Sequence, residues 1–224
     1  CWTNDEYEFE GEHWSMPKRR VLPKPIQDPH PPVFGATASD SGHEMMGKLG
    51  LGLCSFSVGT SPEDVKRRID IYRKAISECT DPVGKTVNEQ AAAFTMVNCA
   101  PTAAESYATS EESFVWYVKR SSELITSVAA WLEEMKQELG TYDYLGEIEK
   151  MVREGMHEML NFEYLTNENA VIVGDPKEVV ERCRAYEDAG VDLLLCLLNP
   201  YKVPHDKVMQ TIELMGKHVI PKFN

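Results

Sequence analysis

Cationic side chains are in short supply. Lysine and arginine number 23 against 36 aspartates and glutamates, which leaves the 224-residue chain at net −13 with a pI of about 4.9. A surface this acidic argues against a general affinity for nucleic acid or anionic lipid. The one basic cluster, Lys18-Arg19-Arg20 with Lys24, is short and reads as a solvated or phosphate-facing loop. No apolar run approaches the ~20 residues of a membrane span, and no secretory signal is visible. The six cysteines, at positions 1, 54, 79, 99, 183 and 196, contain no CxxC pair. Cys54, Cys99 and Cys196 lie within apolar runs, where a free thiol behaves as a small hydrophobe, so reduced cysteines and a cytoplasmic location are expected. The chain also lacks an initiator methionine and opens "CWTNDEYEFEG", which suggests a fragment of a longer protein.

Familiar catalytic motifs are absent as well. "HEMMG" (His43 to Gly47) and "HEMLN" (His157 to Asn161) begin like a zinc-binding HExxH, but Gly47 and Asn161 stand where the second histidine belongs. "GKT" at Gly84 to Thr86 lacks the upstream P-loop glycine, since that place holds Cys79. "GLGLCS" from Gly50 to Ser55 leads into a strand and not a helix, which excludes a dinucleotide fingerprint. No GxSxG nucleophile elbow occurs. Most acidic residues fall on helix faces beside lysine or arginine and read as solvated. His13, His30, His157, His205 and His218 have no evident partner, and His43 also reads as a surface or satisfied core residue.

Against these absences stands a globular composition, with 42% hydrophobic residues. Residues 7 to 16, "YEFEGEHWSM", alternate around Gly11 and predict a small hairpin with apolar Tyr7, Phe9 and Trp14. "VLPKPIQDPHPP" carries five prolines in twelve residues and predicts an extended connector. Four apolar runs then predict strands: "VFGA", "LGLCSF", "AAAFTMVNCA" and "DLLLCLL". Helical stretches separate them. One has Ser61 as N-cap, Pro62 at its first position and Asp64 in the capping-box place. Another has Asp175, Pro176 and Glu178 in the same roles and closes at Gly190. Residues 104 to 160 read as mostly helical. Continuous apolar strands alternating with helices predict a parallel α/β sheet with both faces covered, either an open doubly wound sheet or part of a (β/α)8 barrel. A full barrel takes about 250 residues, so four units with a helical insertion look like half of one.

One feature points to ligand chemistry. Strand "VFGA" dissolves into "TASDSG", from Thr37 to Gly42. Ligands of parallel α/β folds bind at the carboxyl ends of strands. Hydroxyls together with helix N-terminal amides donate to an anion. A plain alternative is that Ser39 or Ser41 only caps the following helix. Ser55 and Asn98, near the ends of the next two strands, are expected on the same rim.

The order of "FEGEHW", "PKPIQDPHPPVFGATASDSGHEMMGKLGLGL" and "VIVGDPKEVVERCRAYEDAGVDLLLCLL" resembles the C-terminal part of the bacterial luciferase-like monooxygenases, flavin-dependent TIM barrels. The resemblance spans nearly the whole chain and is weakest from Thr102 to Asn169. It implies one domain: hairpin and connector at 1–32, three strand units at 33–103, a helical insertion at 104–168, and the last strand unit with a C-terminal helix at 169–224. It also implies an oxidoreductase in which reduced FMN from a separate reductase, or in some branches a deazaflavin, reacts with O2 to oxygenate a small organic substrate. The cofactor carries the difficult chemistry, which explains the missing acid–base constellation. The residues implied at the flavin and its phosphate are Ala36, Thr37, Ala38, Ser39 and Ser41, with Ser55 on the next strand. Trp116, Tyr117 and Trp131 fall in the insertion, where they line a substrate or partner face or simply pack. A homo- or heterodimer is implied, with no nucleic acid or membrane partner. A non-catalytic flavin-binding or partner subunit of the same fold is the alternative. An unrelated phosphate-binding aldolase or isomerase would require a lysine or carboxylate pair at the strand ends, and none is offered.

Overall fold

The structure, a computed structural model, describes residues 1–139 and 160–223. The predicted hairpin forms from β1 (Tyr7–Glu10) and β2 (Ser15–Arg19), with Phe9 and Trp14 in ring contact at 4.5 Å. The proline-rich connector carries no helix or strand and leads to β3 (Phe34–Thr37). There follow α1 (Asp40–Lys48), β4 (Gly52–Phe56), α2 (Pro62–Ser77) and the nine-residue β5 (Ala91–Cys99). A long helix, α3 (Ala103–Leu139), begins the insertion, and a short α4 (Phe162–Asn167) follows the undescribed residues. The chain closes with β6 (Ile172–Gly174), α5 (Pro176–Asp188), β7 (Leu193–Leu197) and α6 (His205–Leu214), continued by a π turn at Met215–Val219 and a 3-10 turn at Ile220–Lys222.

All strand pairings from β3 onward are parallel. β5 is long enough to hold three neighbours: β4 along Ala91–Phe94, β7 along Ala92–Met96 and β6 along Val97–Cys99. β6 is a parallel strand beyond the four that the apolar runs mark. Local chemistry sets the helix starts as expected. Ser61 accepts from the Asp64 amide at 3.3 Å, and Asp175 accepts from Lys177 and Glu178 while Glu178 bonds back to it in a full capping box. Gly190 takes φ of +87° after α5, a left-handed conformation that glycine adopts without steric cost.

The two faces of the sheet differ. Leu53, Ala91, Ala93 and Val97 point to the helical layer and pack with Val65, Ile69, Tyr72, Ile76, Val179 and Tyr186. The Tyr72 hydroxyl lies 3.0 Å from the carbonyls of Leu51 and Asn88, and burial pushes its pKa up to about 12, so it remains a donor. In the alternate register, which faces the other way, Phe56, Leu193 and Leu195 stay 37 to 43% exposed, whereas Ala92 and Met96 of β5 are buried. Among the described residues, the expectation of a sheet covered on both faces therefore holds for the helical face and, on the other, for the part of β5 and β6 beneath α3. Cys196, expected inside, stands exposed on edge strand β7. A second core of Met96, Phe114, Val118, Leu165, Val171 and Val173 seats α3 and α4 over β6.

Asp192 joins the starts of β5 and β7. Its carboxylate accepts the Ala91 amide at 2.7 Å and the Arg73 guanidinium at 2.6 Å. Asp192→Ala leaves both donors without this acceptor and should cost about 1–3 kcal/mol of stability, read as a lower denaturant midpoint. An unchanged midpoint would contradict this account of the strand junction.

Candidate functional site

The hydroxyl cluster occupies the carboxyl end of β3. Thr37 is the last strand residue, paired across the ladder with Ser55. The chain then turns through Ala38 and Ser39 into α1. Ser39 holds an extended conformation (φ −100°, ψ 153°), and its Oγ accepts the Gly42 amide at 3.0 Å. The Ser39 amide donates to Thr37 Oγ1 at 3.3 Å. The Ser39 and Ser41 hydroxyls lie 3.3 Å apart. Ser39 is thus the N-cap, as the plainer reading of the sequence had it. The two readings do not compete. Capping and turn formation use the lone pairs of Ser39 and Thr37, so the Thr37 O–H proton remains available as a donor, and the Ser39–Ser41 contact uses one of that pair's two protons and leaves the other. With Gly42 satisfied by the cap, the first-turn amides of Asp40 and Ser41 have no partner within the helix.

Ala36, Ala38 and Ser41 are exposed, and Thr37 and Ser39 are half-buried, so these five form one accessible patch. Ser55 does not join them at the surface. It is 0% exposed, beneath the turn. Asn98 is likewise interior, with the Ser106 hydroxyl 2.9 Å from both its backbone and side-chain oxygens. Trp116 stacks on Tyr201 at 4.1 Å and 7°, Tyr117 packs on the second core, and Trp131 is exposed. His157 and most of "HEMLN" lie outside the described residues.

Two features complete the patch, a histidine that proves to be the satisfied core residue the sequence allows and a pair of arginines that the sequence does not single out. First, His43 is fully buried, with Nδ1 2.6 Å from the Ser39 carbonyl and Nε2 2.9 Å from Ser55 Oγ. Burial, helped by the Arg68 and Arg67 charges, holds this imidazole below the ordinary histidine range, against the opposing pull of the Ser39 carbonyl and Asp40. Second, α2 brings two arginines to the start of α1. Arg67 hydrogen-bonds Asp40 and holds its carboxyl below the usual range, and Arg68 Nε lies 3.7 Å from the same carboxylate. That distance suits an ion pair and is too long for a hydrogen bond, and Arg68 Nε is buried without a hydrogen-bond partner. Hydroxyls, helix amides and two guanidiniums against one carboxylate make a donor set suited to a phosphate.

A family model described as luciferase-like monooxygenase matches residues 1–193. The chain is 26% identical to the FMNH2-dependent dimethylsulfone monooxygenase of Pseudomonas putida, covering 98% of this chain and 54% of that one. It is 22% identical to the oxygenase component of the flavin-dependent trigonelline monooxygenase of Acinetobacter baylyi, covering 100% and 57%. Among solved structures, the fold matches the oxygenating constituent of 3,6-diketocamphane monooxygenase from the CAM plasmid of Pseudomonas putida, a complex with FMN. That match has a TM-score of 0.63 and 19% identity, over 99% of this chain and 59% of the other. The chain spans little more than half the length of the curated relatives it matches. The α/β expectation of a partial luciferase-like barrel is consistent with these matches.

Gly42 keeps the turn tight. A Cβ added there would lie 1.9 Å from Thr37 Oγ1 and 2.9 Å from Ser39 Oγ. Glycine to alanine inside a helix ordinarily gains about 1 kcal/mol. Gly42→Ala should instead lose about 1–3 kcal/mol through overpacking, because Thr37 must abandon its bond to the Ser39 amide. Thermal unfolding reads the sign, and a raised Tm would contradict the packing described.

Proposed function

The chain belongs to the luciferase-like monooxygenase family, and we propose that it forms the flavin-phosphate side of a monooxygenase that uses reduced FMN and O2 to oxygenate a small organic substrate. The observation that carries this reading is the accessible strand–turn–helix of Ala36, Thr37, Ala38, Ser39 and Ser41 at the carboxyl end of a parallel strand. Bound reduced flavin supplies the reactivity toward O2. The chain's own residues bind and orient it. The Thr37 hydroxyl, the proton left to the Ser39–Ser41 pair and the first α1 amides donate to phosphate oxygens, and the two alanines let the ligand approach the backbone. Arg67 and Arg68 offset the charge of Asp40. Ser55 contributes from behind the turn, through His43.

The names of the curated relatives, both flavin-dependent oxygenases, support the same reading. A flavin reductase is the partner such chemistry requires, and the enzyme would work in the cytoplasm as a homo- or heterodimer. Among the described residues no helix is long and apolar enough to cross a membrane.

Ser41→Ala is the cleanest test, because Ser41 does not cap α1 and its loss leaves the Ser39–Gly42 bond in place. With FMN and riboflavin titrated into the intact protein, loss of a hydrogen bond to a charged phosphate should weaken FMN about tenfold and leave riboflavin within about twofold. Equal losses for the two ligands would refute the phosphate role. Tight binding of a deazaflavin in place of FMN would reassign the cofactor.

A further inference from the structure

We infer that His43, held as the neutral Nδ1–H tautomer, is the positioning residue that locks the Thr37–Ser41 turn onto strand β4. Its functional meaning rests on the flavin-phosphate reading above, while its geometry stands independently. A backbone carbonyl only accepts, so the 2.6 Å contact between Nδ1 and the Ser39 carbonyl places a proton on Nδ1. The neutral ring then offers a lone pair at Nε2, and the 2.9 Å contact there makes Ser55 the donor. Ser57 Oγ lies 3.2 Å from the Ser55 carbonyl and 3.3 Å from Ser55 Oγ, and donates toward that residue. The relay therefore has one direction: Ser57 and Ser55 to His43, and His43 to Ser39.

Its end point is the residue that caps α1. Ser39 is held at its hydroxyl by the Gly42 amide and at its carbonyl by the His43 ring. His43, Ser55 and Ser57 are each 0% exposed, so water does not compete for these bonds. The charged groups that face the ring are Asp40 on its own helix and Arg67 and Arg68 on α2. Two cations against one anion, inside a desolvated site, favour the neutral ring. Adding a proton at Nε2 reverses the bond to Ser55, which must then accept where it had donated. Acid therefore reverses the Ser55 end of the lock and leaves the bond from Nδ1 to Ser39 in place.

The test uses the intact protein with His43→Leu, which fills the volume without polar atoms, and His43→Asn, whose side-chain amide can still donate to the Ser39 carbonyl. Imidazole nitrogen-15 shifts should show the proton on Nδ1. Leucine should speed hydrogen exchange of the 39–43 amides about tenfold and weaken FMN about tenfold, with riboflavin within about twofold, and asparagine should recover most of both. An Nε2–H tautomer, unchanged exchange in the leucine variant, or equal loss of FMN and riboflavin would overturn the assignment. Should the leucine variant not fold, Ser55→Ala removes the donor to Nε2, leaves Ser57 Oγ the Ser55 carbonyl as acceptor, and faces the same criteria. If Ser41→Ala leaves FMN untouched in an otherwise binding protein, the phosphate reading fails, while exchange and nitrogen shifts still decide the lock.

Discussion

The register between β3 and β4 is the constraint on which the rest depends. Pairing Thr37 with Ser55 sends both side chains toward the helical layer, where α1 begins. His43, one turn into α1, then lies over Ser55 and reaches back to Ser39. A slip of one residue would turn Ser55 to the bare face of the sheet and bring Cys54 or Phe56 under the helix, since side chains alternate with a period of two. No polar partner would then meet Nε2. Strand pairing, helix entry and the donor patch are in this sense one arrangement.

The same alternation explains the unequal faces. Leu53, Ala91, Ala93 and Val97 pack against the helical layer and are wholly buried, whereas Phe56, Leu193 and Leu195 on the other face are exposed. Among the described residues β3, β6 and β7 each pair with a single neighbour, so the sheet has open edges on both sides, a hazard that proteins ordinarily cover or charge. Further parallel strands would close both edges and bury the bare face. The match to little more than half the length of the curated relatives fits that geometry.

Much of the fold was legible because local chemistry dictates it. Ser61-Pro62 and Asp175-Pro176-Glu178 mark helix starts through contacts within four residues, and apolar runs mark long strands. β6 was not legible as a strand, because three residues set no period and are recruited only by the far end of β5. The hydroxyl cluster was visible as a composition, but its division of labour was not. That Ser41 is exposed while Ser55 is sealed depends on the ladder. The bond between His43 and Ser55 spans twelve residues of sequence and a helix–strand packing. Nothing local in the sequence marks Arg67 and Arg68, and only the packing of α2 on α1 brings them to Asp40.

The central claim is the place of the phosphate. A crystal structure of the intact protein with FMN tests it most directly. The account predicts phosphate oxygens within about 3 Å of the Ser41 hydroxyl and of the first α1 amides, with Ser39 still capping Gly42. A flavin whose phosphate lies elsewhere, with the turn from Thr37 to Ser41 facing only water, would contradict it.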